Sequence, residues 1–191
     1  MSASDSSTVS STISSTAHGL HHVAFTTRDP EATYQFYSQK LGMTLVHAEN
    51  HLQGDGYFRH FFFSLGNGEA IGFFELHDVG EEREFKTEIS TGLGLPPWAN
   101  HVAFRLNSLE EIEAMTHRMH EHGIDQVTEI DHGWCTSIYT LDPNGILVEF
   151  CVTTDEEAFA QSEEEALRLL RQSPEEIEEE ARKEVKLGTS V

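Results

Sequence analysis

The chain has 191 residues, 38% of them hydrophobic and 12 of them Phe, which suits one packed domain or two small modules sharing a core. A formal charge of −21 argues against nucleic acid, whose phosphates reward clustered Lys and Arg. No window approaches the roughly 18 apolar residues of a spanning helix, so a soluble protein without a membrane partner is the expectation.

Residues 1–18, "MSASDSSTVSSTISSTAH", are mostly Ser, Thr and Ala and read as a disordered N-terminal arm, not as a signal peptide. The tetrapeptide "HVAF" then occurs twice, at His22–Phe25 and His101–Phe104. After the first copy, Asp29 is a helix N-cap candidate and Pro30 suits the first helical position. Tyr34, Tyr37 and Leu41 recur on one helical face, Gly42 ends the helix, and "MTLVHA" resumes as strand. "HAENHLQGDG" reads as a loop, and places His47 and His51 in it. Two further strands, "YFRHFFFSL" and "EAIGFFEL", are joined by "GNG". The prolines of "GLPPW" mark a linker.

The second copy repeats the order. Ser108 with Glu111 makes a capping box, and Ile112, Met115 and Met119 form the apolar helix face. Gly123 closes that helix, and "QVTEI", "CTSIYTL" and "ILVEF" follow as strands. The fold class is therefore α+β, with paired βαβββ modules at about 19–78 and 98–153 in one domain of residues 19–153. Cys135 and Cys151 fall in apolar strands and read as buried free thiols, which fits a reducing, cytoplasmic setting. Residues 154–191 form an acidic helical tail. There, Thr154 with Glu157 caps "AFAQSEEEALRLL", whose Phe159, Leu167 and Leu170 should dock on the outer surface or on a partner subunit. Ser173-Pro174 with Glu176 opens a second helix that has only Ile177 and Val185 to bury.

Strand alternation gives the histidines a role. Val23 and Phe25, like Val102 and Phe104, share the face suited to packing under a helix, so His22 with Ala24 and His101 with Ala103 share the opposite, open face. His21 is in antiphase and should point away. In "YTLDPNGILVEF", a three-residue hairpin loop closed by a left-handed Gly145 pairs Asp142 with Ile146, and so sets Tyr139 across from Glu149. A carboxylate between Val148 and Phe150 needs a partner, because a buried unpaired charge is expensive. His22, His101 and Glu149 supply two imidazoles and one carboxylate, a donor set that suits divalent iron with open positions.

The two "HVAF" modules, with "DPNG…E" closing the second, resemble the vicinal oxygen chelate superfamily, which includes glyoxalases, epimerases, antibiotic-binding proteins and extradiol dioxygenases. The resemblance covers about residues 19–153 and implies sheets cupped around one metal. Within the superfamily, "IDHGWCTSIYTLDPNGILVE" is similar to the signature of small type I extradiol dioxygenases, through His132, Ile138-Tyr139, Asp142-Pro143, Gly145 and Glu149. That likeness implies an Fe(II)-dependent ring-cleavage dioxygenase taking a small aromatic catechol and O2, with His132 and Tyr139 as catalytic residues. Seven residues separate those two, so the assignment requires a bulge or loop at Gly133. The chain departs from that pattern in the first module, where "EAIGFFELHD" lacks the expected acid–base histidine inside its apolar run. Glu75 stands at the place taken as equivalent to Glu149, as a fourth metal ligand or a base, and His60 is a possible substitute for the missing group. The alternatives are a glyoxalase- or epimerase-like isomerase using Ni(II), Zn(II) or Co(II) with Glu75 as fourth ligand, and a metal-free binding protein; Mn(II) is a further metal the resemblance allows at the site. Superfamily habit implies a homo-oligomer. Phe58, Phe62, Phe73 and Trp98 are candidates for an aromatic pocket.

Overall fold

The structure, a computed structural model, describes Ala17 and residues 19–81 and 84–186, with side chains described as far as residue 182. Apart from Ala17, the arm expected at residues 1–18 lies outside the described residues.

The first module runs β1 (His22–Thr27), α1 (Pro30–Tyr34), a wider-pitched turn (Gln35–Lys40), β2 (Thr44–Gln53), β3 (Gly56–Ser64) and β4 (Ala70–His77). Its sheet has the order β1-β4-β3-β2. Asp29 caps α1 by accepting the Ala32 amide, with Pro30 behind it, as the sequence predicts. The widened turn buries the consecutive Phe36 and Tyr37, whereas a regular helical face would have chosen Tyr34, which is only half-buried. Strand β2 extends through the stretch read as a loop, so His47 and His51 are strand residues.

The second module repeats the plan: β5 (His101–Arg105), α2 (Leu109–Glu121), β6 (Thr128–Asp131), β7 (Cys135–Leu141) and β8 (Leu147–Thr153), in the order β5-β8-β7-β6. Ser108 caps α2, but the Glu111 carboxylate reaches back to the Asn107 amide instead of that of Ser108. Both cysteines are free, Cys135 buried and Cys151 half-buried. Two 3₁₀ turns, Thr91–Leu93 and Pro97–Ala99, carry the linker.

One apolar core joins the modules on the helix side of both sheets, and includes Tyr37, Phe63, Phe73, Met119, Ile138 and Val148. Fully burying each such side chain contributes about 1.5–3 kcal/mol. Polar contacts lock the same interface. Tyr37 donates to Asp142 at 3.0 Å, the Asn144 amide group donates to Thr33 Oγ1 at 3.2 Å, and Arg118 Nε donates to the Lys40 carbonyl at 2.7 Å. The "DPNG" turn is thus a buried key between modules as well as a hairpin. Gly145 has the expected left-handed φ of +74°.

The tail departs from expectation. Asp155, not Thr154, caps a single turn, α3 (Glu156–Phe159), and Ser162 caps a separate α4 (Glu163–Leu170). Phe159 packs on Trp134, with ring centroids 4.9 Å apart, while Leu170 is 79% exposed, so the expected three-residue stripe does not dock as a unit. The Ser173–Glu176 box forms as expected at the start of α5 (Pro174–Lys186). Among the described residues no helix is long and apolar enough to cross a membrane.

Candidate metal centre

The denser chemistry lies on the second sheet. Parallel pairing of β5 with β8 sets Ala103 beside Glu149, and antiparallel pairing sets Tyr139 opposite the same Glu149. With only a methyl group beside it, the carboxylate reaches His101, and Nε2 stands 3.0 Å from Oε2. His101 Nδ1 is 2.9 Å from the Trp98 carbonyl oxygen. A carbonyl can only accept, so Nδ1 carries the hydrogen and Nε2 presents a lone pair. Glu149 Oε1 already accepts hydrogen bonds from Ser137 Oγ at 2.6 Å and Tyr139 at 3.0 Å. Two electron-pair donors facing each other at 3.0 Å need a cation between them, either a proton or a metal ion. Imidazole plus oriented carboxylate fits a divalent transition metal.

Burial, with the Glu149 charge adding to it and Ser137 partly offsetting it, pushes the Tyr139 phenol up to about 12, so it stays protonated at neutral pH. Its oxygen also lies 2.8 Å from His132 Nε2. Since Tyr139 donates to Glu149, His132 Nε2 must be the donor in that contact. The loop required at Gly133 is present: φ is +84°, the Gly133 amide donates to Asp131 Oδ1, and the His132 amide donates to the Cys135 carbonyl. His132, Tyr139, Glu149 and His101 therefore form one continuous chain of polar contacts. Ser137 belongs to it and was not singled out from the sequence. Its signal was there, since it shares parity with Tyr139 on β7.

The first sheet differs. His22 shares the open face with Phe62 and His60, whose rings lie 5.4 and 6.4 Å from its own. His21 lies just outside β1, so alternation does not govern it, and its Nδ1 stands 2.8 Å from His22 Nδ1 instead of pointing away. Among the other candidates, Phe58 also faces the open side and packs on Phe74, whereas Phe73 is in the core and Trp98 is 68% exposed.

The register overturns the reading of Glu75. Ala24 pairs with Gly72 as Ala103 pairs with Glu149, so the repeat's counterpart of Glu149 is Gly72. Glu75 has the opposite parity. It shares the other face with Ile71 and Phe73, held by Arg59 at 3.0 Å and His77 at 2.8 Å, and is no ligand on the His22 face. Counting from the ends of the expected strands misled, because β8 runs on past Phe150 to Thr153, whereas β4 runs past Leu76 only to His77. His60 is buried and stacks on Phe74 at 3.6 Å; its Nδ1 lies 3.7 Å from Glu49 Oε1, and its Nε2 has no hydrogen-bond partner among the described residues. Burial lowers its pKa from 6.5.

Among the described residues, no group of three or more His, Cys, Asp or Glu side chains is gathered closely enough to hold a metal ion. His101 and Glu149 thus meet without His22, and the three expected ligands do not converge within one chain.

Solved structures are similar to this chain, and one from Frankia sp. EAN1pec shares its fold. A glyoxalase/bleomycin resistance protein/dioxygenase domain from Frankia sp. EAN1pec is 20% identical, with TM-score 0.54, over 72% of this chain and 98% of that one. A protein described in the same terms from Nocardioides is 22% identical, with TM-score 0.49, over 78% and 93%. The fosfomycin resistance protein FosX from Listeria monocytogenes is 24% identical, with TM-score 0.49, over 72% and 95%. No protein of curated function matches significantly. Residues 19–150 match a family description that spans both modules and ends just beyond Glu149, and by that match the chain belongs to the Glyoxalase/Bleomycin resistance protein/Dioxygenase superfamily.

Proposed function

We propose that this protein is an Fe(II)-dependent extradiol dioxygenase that cleaves the ring of a catechol-type substrate. The observation that carries the reading is the polar chain His132–Tyr139–Glu149–His101. A carboxylate can accept at about four lone-pair sites; here Oε1 takes both Ser137 and Tyr139, Oε2 is left to His101, and the phenol is backed in turn by the exposed imidazole of His132. Gly72 supports the same reading, because the register position matching Glu149 carries no carboxylate on the first sheet, and Glu49 on that face is engaged by His51 at 3.1 Å.

Bound Fe(II) supplies a centre at which an aromatic diol and O2 are brought together in fixed orientation. The chain's own residues do the rest. His101 and Glu149 hold the metal, Ser137 fixes the free rotation of the carboxylate, and Tyr139 can turn its hydroxyl from Glu149 to a substrate oxygen. His132 keeps the phenol aligned by donating to it, and is placed to pass on a proton. His22 completes the ligand set from a second copy of the chain. The helix sides of both modules are already packed together, while among the described residues no strand of one sheet pairs with the other. Edge strands β1 and β5 border an open cleft of about 1150 Å³ lined by Val23, Leu41, Met43, Val102, Phe104 and Met115. A two-fold dimer sets β1 of each copy beside β5 of the other and forms two equivalent cups.

Two measurements test the reading. Anaerobically iron-loaded protein mixed with simple and aryl-substituted catechols should consume O2 and give a yellow product. Absence of O2 uptake at full iron occupancy sinks the dioxygenase assignment. Separately, H22A and H101A should each lose metal, and mixing them under exchange should restore about a quarter of the sites, as two-fold closure requires. No recovery after verified exchange would mean that the cup is not shared between copies.

A further inference from the structure

The chain leaves β8 at Thr153 and folds back on the corner that carries His132. The Thr154 and Asp155 amides both donate to the Trp134 carbonyl, at 2.9 and 3.1 Å. Asp155 then caps α3 through the Ala158 amide at 2.9 Å, and α3 lays Phe159 on the Trp134 indole. At the other end of this corner the His132 ring lies 6.4 Å from Trp134, with its Nε2 on the Tyr139 hydroxyl. Within the corner itself, only the Gly133 amide on Asp131 and the His132 amide on the Cys135 carbonyl are added to the end of the β6–β7 ladder among the described residues. Residues 128–134 are exposed, Trp134 is 36% exposed, and Gly133 gives the backbone a left-handed turn. An exposed turn of this kind opens at low cost unless something outside it restricts it.

We propose that the first turn of the acidic tail is a working part of the site: Thr154–Phe159 clamps Trp134 and thereby holds His132 against Tyr139. Phe159 touches no reacting atom and is a positioning residue. Its role in turnover rests on the dioxygenase reading, whereas the clamp itself does not. The tail is then joined to the chemistry without supplying a metal ligand, since Glu149 and both histidines precede it.

The test compares F159A and F159Y, each alone and combined with H132Q, in the full chain. F159A should leave metal content unchanged and lower kcat about tenfold, the size of effect expected from loss of an outer-shell partner. F159Y, which keeps the ring, should retain activity. In the H132Q background F159A should have no further effect, because both changes remove one interaction. An equal loss with and without His132 overturns the proposal. A second readout needs no turnover: in zinc-loaded protein the His132 Nε2–H signal should be slowed in solvent exchange by its bond to Tyr139, and F159A should abolish that protection. Unchanged protection in F159A also overturns it. If the wild type turns over no catechol, the dioxygenase reading fails and the exchange measurement alone decides the clamp.

Discussion

The same backbone unit, used twice, presents two different faces. At matched register positions the first sheet carries Gly72, Phe62 and His60 where the second carries Glu149, Tyr139 and Ser137. On the second, every polar group is engaged with another. On the first, the Phe62 ring lies over the Gly72 backbone, 3.0 Å from where a Cβ would stand, and His60 Nε2 has no partner among the described residues. The two copies share the scaffold and the histidine of "HVAF"; the carboxylate beside that histidine and its hydroxyl supports stand on the second sheet alone, while the carboxylate on the first, Glu49, lies two strands further out among His47, His51 and His60.

The largest expected effect breaks the polar side. E149Q should lower affinity for a divalent metal at least about 100-fold, and S137A or Y139F should lower it about tenfold, in line with the cost of losing an orienting partner. F62L, at the position matching Tyr139, should leave metal content unchanged. Equilibrium dialysis with metal analysis decides. Equal losses from F62L and Y139F would erase the distinction between the faces.

Next in size is the contrast between the two hairpin turns. Asp142 accepts from Tyr37, from the Asn144 and Ile146 amides and from the Asn144 side chain, all buried. D142A strands those donors and should cost about 3 kcal/mol in urea unfolding. The first module's turn is exposed, with Asn67 bonded only to neighbouring Glu69. N67A should therefore stay within about 0.5 kcal/mol of wild type.

G72A should cost about 1–3 kcal/mol, because its Cβ would press on the Phe62 ring at 3.0 Å. F62A should relieve most of that cost in a double-mutant cycle; full additivity would show that the ring is not what requires glycine there.

The smallest effect is one of pH. Burial raises the Asp142 carboxyl above 3.8, with its hydrogen bonds from Asn144, Ile146 and Tyr37 opposing the shift. A folded pKa above the unfolded one gives stability that is complete below pH 3.8 and is lost as pH rises through the folded value. D142N does not titrate there. The stability of wild type relative to D142N should accordingly shrink from pH 3.8 toward neutrality, and a gap that widens instead would contradict the burial argument.

The sequence by itself determined what short-range rules govern. Period-2 alternation put His22 and His101 on the faces away from the core, and turn geometry set Tyr139 across from Glu149, because a tight hairpin fixes its own register. It also supplied the two modules, the helix caps at Asp29 and Ser108, and the need for a loop at Gly133. Tertiary structure decided the rest. The parallel pairing of β1 with β4 joins strands distant in sequence, no local pattern sets it, and it made Gly72 rather than Glu75 the counterpart of Glu149. Strand β2 was illegible because an exposed edge with polar residues on both faces leaves no alternation to read. The packing of the helix sides of the two modules, keyed by Tyr37 on Asp142, turned both histidine-bearing faces outward and left His22 out of the group formed by His101 and Glu149, because that packing is set by the shape of the whole core.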